Sequence, residues 1–162
     1  MAHILERFVR LPPTRRRLVV EAALLLSLAR IAVATVPFRW IARILGEQGA
    51  KAVGTPDRNQ RNAVLDVSWA IRAVNRQRPF RCKCLVEAIT GQVMLIRRKI
   101  PSTFYLGVAR SEDGLKAHAW VQVGESHVPP SRGEDGFKVL SSFARPGPSE
   151  GTPPGRGRQG GE

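Results

Sequence analysis

Apolar positions recur with a helical period through the first two thirds of the chain. The densest run is LVVEAALLLSLARIAVATVPF, residues 18–38. Leu11-Pro12-Pro13-Thr14 precedes it, and Thr14 suits an N-cap, so the pattern predicts a helix over 15–35. The helix stops ahead of Pro37, because the residue before a proline avoids the α region. Residues 38–45 (FRWIARIL) read as a second, short helix with Trp40, Ile41, Ile44 and Leu45 on one face, ended by Gly46 and Gly49. Residues 50–60 form a polar connector with Gly54 and Pro56. Over 61–77, Val64, Val67, Ile71 and Val74 make one stripe, with Leu65 and Trp69 beside it. Pro79 breaks that helix. Another runs over 84–98, with Leu85, Ala88, Ile89, Gln92, Leu95 and Ile96 inward and basic residues in its last turn, where they suit the helix dipole.

After Pro101 the period falls to two. Residues 102–109 and 117–123 read as strands of a hairpin that turns at 111–114. A second turn follows at 124–126, and His127-Val128 opens a short third strand. Residues 137–143 (FKVLSSF) read as one more strand or a turn of helix. From 145 to 162 the chain is rich in Pro and Gly and almost free of large apolar residues, so that tail is expected to be disordered. Helices, then a cysteine-bearing helix, then an antiparallel sheet make an α+β fold and not a βαβ one. The organisation expected is a helical segment over 1–56, a core over 57–144 and the tail.

The chain has 162 residues, enough for one domain with a real core. Its net charge of +13 will attract polyanions nonspecifically. No zinc-finger spacing, RNP-like strand or recognition helix accompanies the charge, so specific nucleic-acid binding is not expected. The charge reads as a solvated surface that suits an acidic peptide or protein partner. The run at 18–38 is long enough to span a bilayer. Glu21 and Arg30 interrupt it, and a charge near the centre of a span costs about 2.5–3.5 kcal/mol. Ala32–Ala34 (AVA) is a poor cleavage site for a signal peptide. A buried or partner-facing helix is expected there, with peripheral membrane contact as the lesser alternative. Two cysteines one residue apart, Cys82 and Cys84, do not make a disulfide framework, so a reduced, cytoplasmic setting is the simpler one.

Those cysteines carry the candidate chemistry. Cys84 opens a helix after the basic residues Arg81 and Lys83, where free N–H groups and the dipole favour a thiolate. Cys82 lies in the approach segment. Taken alone, either is more often a small core residue than a nucleophile. A metal would need two further ligands, and His118 and His127 do not supply a zinc spacing, so no metal is expected. His118 lies within KAHAW on a predicted strand, on the same face as Trp120. A strand histidine beside a helix N-terminal cysteine has the parts of a Cys–His acyl-transfer site, in which imidazole takes the thiol proton and the thiolate attacks a carbonyl.

The stretch CLVEAITGQVMLIRRKIPSTFYLGVARSEDGLKAHAWVQV resembles the core of the transglutaminase-like leader peptidases of lasso-peptide biosynthesis, the B proteins. The likeness covers about 61–123. FKVLSSF is similar to the family's C-terminal strand, and LPPTRRRLVVEAALLLSLARIAV and PFRW to its helical extension. The resemblance implies a transglutaminase/papain-like core, with the Cys-bearing helix packed on an antiparallel sheet. It implies a cysteine peptidase that removes the leader from a ribosomally made precursor, with Cys84 as nucleophile and His118 as general base and acid. It implies no cofactor of its own. Its partners would be the precursor peptide, a separate leader-recognition protein and an asparagine-synthetase-like cyclase that uses ATP. No winged-helix recognition domain is apparent, which points to the split form. The family's third member is an Asp about a dozen residues after the histidine. Here Pro129, Pro130 and Ser131 stand near that place, and Gln122 replaces the usual Glu. The nearest carboxylates are Glu125, Glu134 and Asp135. Asp135 is the expected third residue, with Glu134, a backbone carbonyl or water as the alternatives. The competing expectation is a catalytically weak transglutaminase-like scaffold that presents precursor to the cyclase.

Overall fold

The computed structural model describes residues 8–77, 83–111, 114–128 and 136–145. In chain order its main elements are α1 (Pro13–Thr35), α2 (Phe38–Leu45), β1 (Glu47–Gln48), α3 (Arg58–Asn75) and α4 (Cys84–Arg97), followed by β2 (Thr103–Ser111), β3 (Gly114–Val123), β4 (Ser126–Val128) and β5 (Lys138–Ala144). The α+β class read from the sequence is the one found, and the order differs only in strand β1, which lies between α2 and α3. All strand pairs are antiparallel, and the sheet runs β1-β5-β2-β3-β4.

Local chemistry explains where the boundaries differ from the periodic pattern. Helix α1 begins at Pro13, with Pro12 in the cap position and no side-chain cap. Proline suits the first helical position, since its fixed φ is helical and its missing N–H has no intrahelical partner there. Thr14, expected as the N-cap, therefore lies inside the first turn. Helix α3 covers Arg58–Asn75 and not 61–77, because a capping box starts it earlier. Gln60 donates its backbone N–H to Asp57 Oδ1 at 2.8 Å, and the Asp57 N–H reaches Gln60 Oε1 at 3.0 Å. The end of the polar connector is thus helical. The segment read as a strand or a turn of helix over 137–143 is a strand, β5 (Lys138–Ala144), held by β2. The two-residue strand β1 had no apolar pattern to reveal it. Gly46, at φ +132°, sets it against β5, where a Cβ would stand 2.4 Å from the Ala144 carbonyl.

Helix α4 is the centre of the molecule. Val86, Ala88–Gln92, Met94 and Leu95 are buried, so the helix is enclosed on nearly all sides. It packs on α1, on α3 and on β3. Phe104, Ala119, Val121, Val123, Val128 and Phe143 bring one face of the sheet to it. The α3 stripe Val64, Val67, Ile71 and Val74 is buried as expected, while Leu65 turns outward. On α2 the buried face is narrower than the sequence suggested. Ile41 and Leu45 enter the core, and Trp40 and Ile44 stay exposed. One continuous core includes residues from Leu18 to Phe143, so the helical extension and the sheet share it.

Polar groups lock the same helix in place. Gln92 is buried and donates to the Leu45 carbonyl at 3.1 Å and the Ser102 carbonyl at 3.4 Å. That joins the end of α2 to the turn before β2. Arg98 grips Glu21 of α1 with both guanidinium nitrogens, at 3.2 and 2.6 Å, and Arg97 adds a contact at 3.1 Å. The glutamate that interrupts the apolar run is therefore the anchor for the basic end of α4. Arg98 holds its carboxyl below the usual 4.5.

Candidate active site

Cys84 is the first residue of α4, directly after Lys83 in the cap position. The Lys83 side chain does not cap this end. The Val86 N–H already bonds the Lys83 carbonyl at 3.0 Å, so the N–H groups of Cys84 and Leu85 are the donors at this helix end that could meet an acyl oxyanion. The thiol is free and half-buried. Three residues on, Glu87 shares its side of the helix. Glu87 accepts a hydrogen bond from Asn75 Nδ2, which ties the end of α3 to the first turn of α4. Burial pushes the Glu87 carboxyl above 4.5, against the opposing pulls of Asn75 and Arg72. Sequence reasoning did not single out this pair. An acidic residue in a helix's first turn was its only local signal.

His118 lies on β3, directly opposite Gly107 of β2. Cross-strand register puts Tyr105, Gly107, His118 and Trp120 on one sheet face and Leu106, Ala119 and Val121 on the other. The His118 ring is stacked on Trp120, with centroids 5.8 Å apart and 17° between planes. Trp120 is stacked in turn on Tyr105, at 5.4 Å and 18°. Phe137 closes on His118 from the start of β5, at 5.2 Å. The stack of rings needs Gly107: a Cβ there would lie 2.9 Å from the Trp120 ring. Burial among these rings lowers the His118 pKa from 6.5, which favours the neutral imidazole that a general base requires.

Helix α4 packs on β3 through the face that carries Ala119 and Val121, whereas His118 lies on the opposite face, so the two elements are neighbours but strand alternation does not aim the His118 ring at α4. No hydrogen bond links the two side chains. Asp135, Glu134 and Cys82 lie outside the described residues. Among the described residues no carboxylate bonds to His118. Glu125 lies in the turn between β3 and β4, and His127 is half-buried on β4 opposite Gln122. No cluster of three or more metal-ligating side chains occurs among the described residues.

Comparison with known proteins gives one finding. The family model described as the transglutaminase-like superfamily matches residues 32–142. The match begins in the last turns of α1 and runs to β5, so it includes Cys84, His118 and all five strands. No curated protein and no solved structure matches the chain.

Proposed function

Because the chain belongs to the transglutaminase-like superfamily, we propose that it is a cysteine peptidase that removes the leader from a ribosomally synthesised lasso-peptide precursor. The observation that carries this reading is a cysteine in the first turn of the central helix, with that helix packed on the strand that carries a half-buried histidine whose pKa burial lowers. The motif order around both residues supplies the substrate class.

The chemistry runs in two halves. His118 takes the Cys84 thiol proton, and the sulfur attacks the carbonyl of the last leader residue. The oxyanion is met by N–H groups at the start of α4. Imidazolium then gives its proton to the departing amine, which is the new N-terminus of the core peptide. Water, deprotonated by His118, releases the leader from the thioester. The freed amine is what an ATP-dependent, asparagine-synthetase-like cyclase would join to an acidic side chain. A separate leader-recognition protein would present the precursor. Asp135 is the proposed third member, orienting the imidazole.

The test is cleavage of precursor by purified protein with its recognition partner. Cys84→Ala and His118→Ala each abolish cleavage, Cys82→Ala keeps it, and iodoacetamide modifies Cys84 far faster than Cys82 near pH 7. Cleavage that survives Cys84→Ala sinks the proposal. Cleavage absent from the wild type, with precursor still bound, favours the scaffold reading.

A further inference from the structure

Four long aliphatic side chains on α1 stand open to solvent. Val20, Leu24, Leu28 and Ile31 are 46, 60, 61 and 60% exposed. Their spacing of four, four and three residues places them on one face of the helix. The opposite face, Leu18, Ala22, Leu26 and Ala29, is the one packed in the core. A surface helix ordinarily turns polar residues outward. This one is apolar on both sides, with a mean hydropathy of 2.0 over its best window and only 22% of that window buried.

Beside the stripe runs a groove of about 770 Å³. Its apolar lining includes Leu24, Leu25 and Leu28, and Arg16, Arg17 and Arg97 bring guanidinium groups to it beside the carboxylate of Glu21. The Nε of Arg16 is shielded and has no hydrogen-bond partner. A shielded donor without an acceptor is unfavourable, and an anionic oxygen in the groove would satisfy it. Residues 8–46 contain Arg10, Arg15, Arg16, Arg17, Arg30, Arg39 and Arg43 but a single acid, Glu21. That acid is already neutralised by Arg97 and Arg98. On α2, Trp40 is 49% exposed beneath Arg43, which lies 4.4 Å from its ring centre, and Ile44 is 55% exposed.

We propose that α1 lies on an anionic lipid bilayer, with its outer aliphatic stripe at the boundary of headgroups and acyl chains and the arginines at the groove on lipid phosphates. The core packing of the inner face and the Glu21–Arg98 pair keep α1 from crossing the bilayer, so the contact is peripheral. The charges that argue against a span do not argue against a surface. Arginines spread over two helices and the segment before them suit a continuous anionic surface better than one acidic helix.

Sedimentation with vesicles tests this directly. The full chain is mixed with phosphatidylcholine vesicles or with vesicles that also contain phosphatidylglycerol. Two double variants change the net charge equally: Leu24→Glu with Leu28→Glu on α1, and Leu65→Glu with Leu115→Glu elsewhere, where the leucines are 65 and 77% exposed. Thermal melts by circular dichroism establish that each is folded. The wild type is expected to bind the anionic vesicles and leave the neutral ones in solution. The α1 pair is expected to weaken binding by about tenfold or more, and the other pair by about twofold at most. Equal loss in both pairs reduces the contact to bulk charge and overturns the proposal. Equal binding to neutral vesicles overturns it too. So does an absence of vesicle binding, whether with a dimer that the α1 pair dissociates or with retention on an immobilised Leu/Glu amphipathic peptide; these outcomes assign the stripe to a second copy or to a protein helix. None of these readouts involves cleavage, so they stand apart from the peptidase proposal.

Discussion

His118 owes its protonation behaviour to the rings around it. Desolvation favours the neutral form, so its pKa falls below 6.5. If His118 is the base, kcat/KM for precursor cleavage loses activity on the acid side with a midpoint below 6.5. A pH–rate profile checks this, and a midpoint above 6.5 contradicts it. Gly107 is the second telling residue. Gly107→Ala puts a methyl 2.9 Å from the Trp120 ring and 3.2 Å from the Lys138 carbonyl, in a position where backbone and a buried ring must yield. The expected cost is about 1–3 kcal/mol in urea denaturation, with a loss of cleavage as the His118 stack is displaced. The importance of Trp120 was legible in AHAW. The importance of Gly107 was not, because it arises from Trp120, which is distant in the chain and lies diagonally across the hairpin on the same sheet face.

Helix ends and helix pairings govern the next scale. Asp57→Ala removes the capping box of α3, which should lower stability by about 1 kcal/mol, read as a shift in denaturation midpoint. The sequence pattern found α3 from its apolar stripe, yet the cap lay three residues upstream in what read as connector. Periodicity registers buried positions, whereas a cap is a polar, exposed event. Helix α2 shows the converse. Four residues share its apolar face in sequence, but the space between α1, α4 and the sheet admits Ile41 and Leu45 and leaves Trp40 and Ile44 outside. A period gives the direction of a face and not the number of residues its partner covers.

At the scale of the molecule, three groups among the described residues have shifted pKa values that bear on its response to acid. Glu21 has a folded pKa below 4.5, so its contribution is present above 4.5 and is lost as pH falls through the folded value. His118 has a folded pKa below 6.5, so the folded state is progressively disfavoured as pH falls through 6.5. Glu87 has the opposite sign. Its folded pKa is raised, so its contribution is full below 4.5 and is lost as pH rises through the folded value. Two of the three weaken the fold in acid. Thermal melts should therefore fall from pH 7 towards pH 4, and Glu21→Gln should flatten the part below 4.5. An unchanged slope in that variant would count against the anchor role of Glu21.

The sequence by itself determined the order of the four helices and of the strands that follow them, the α+β class and the two residues on which the chemistry is proposed to rest. Each of these is written in local signals: apolar period, proline and glycine breaks, and the spacing within CLVEA and AHAW. Only the tertiary structure decided the rest. Strand order β1-β5-β2-β3-β4 depends on which strands meet, and β1 has no pattern of its own. Glu21 reads as a fault in an apolar helix until Arg97 and Arg98 arrive from α4. The exposed side of α1 is as apolar in sequence as its buried side, so no reading of the chain could tell them apart. Burial is a relation between segments distant along the chain, and packing alone assigns it.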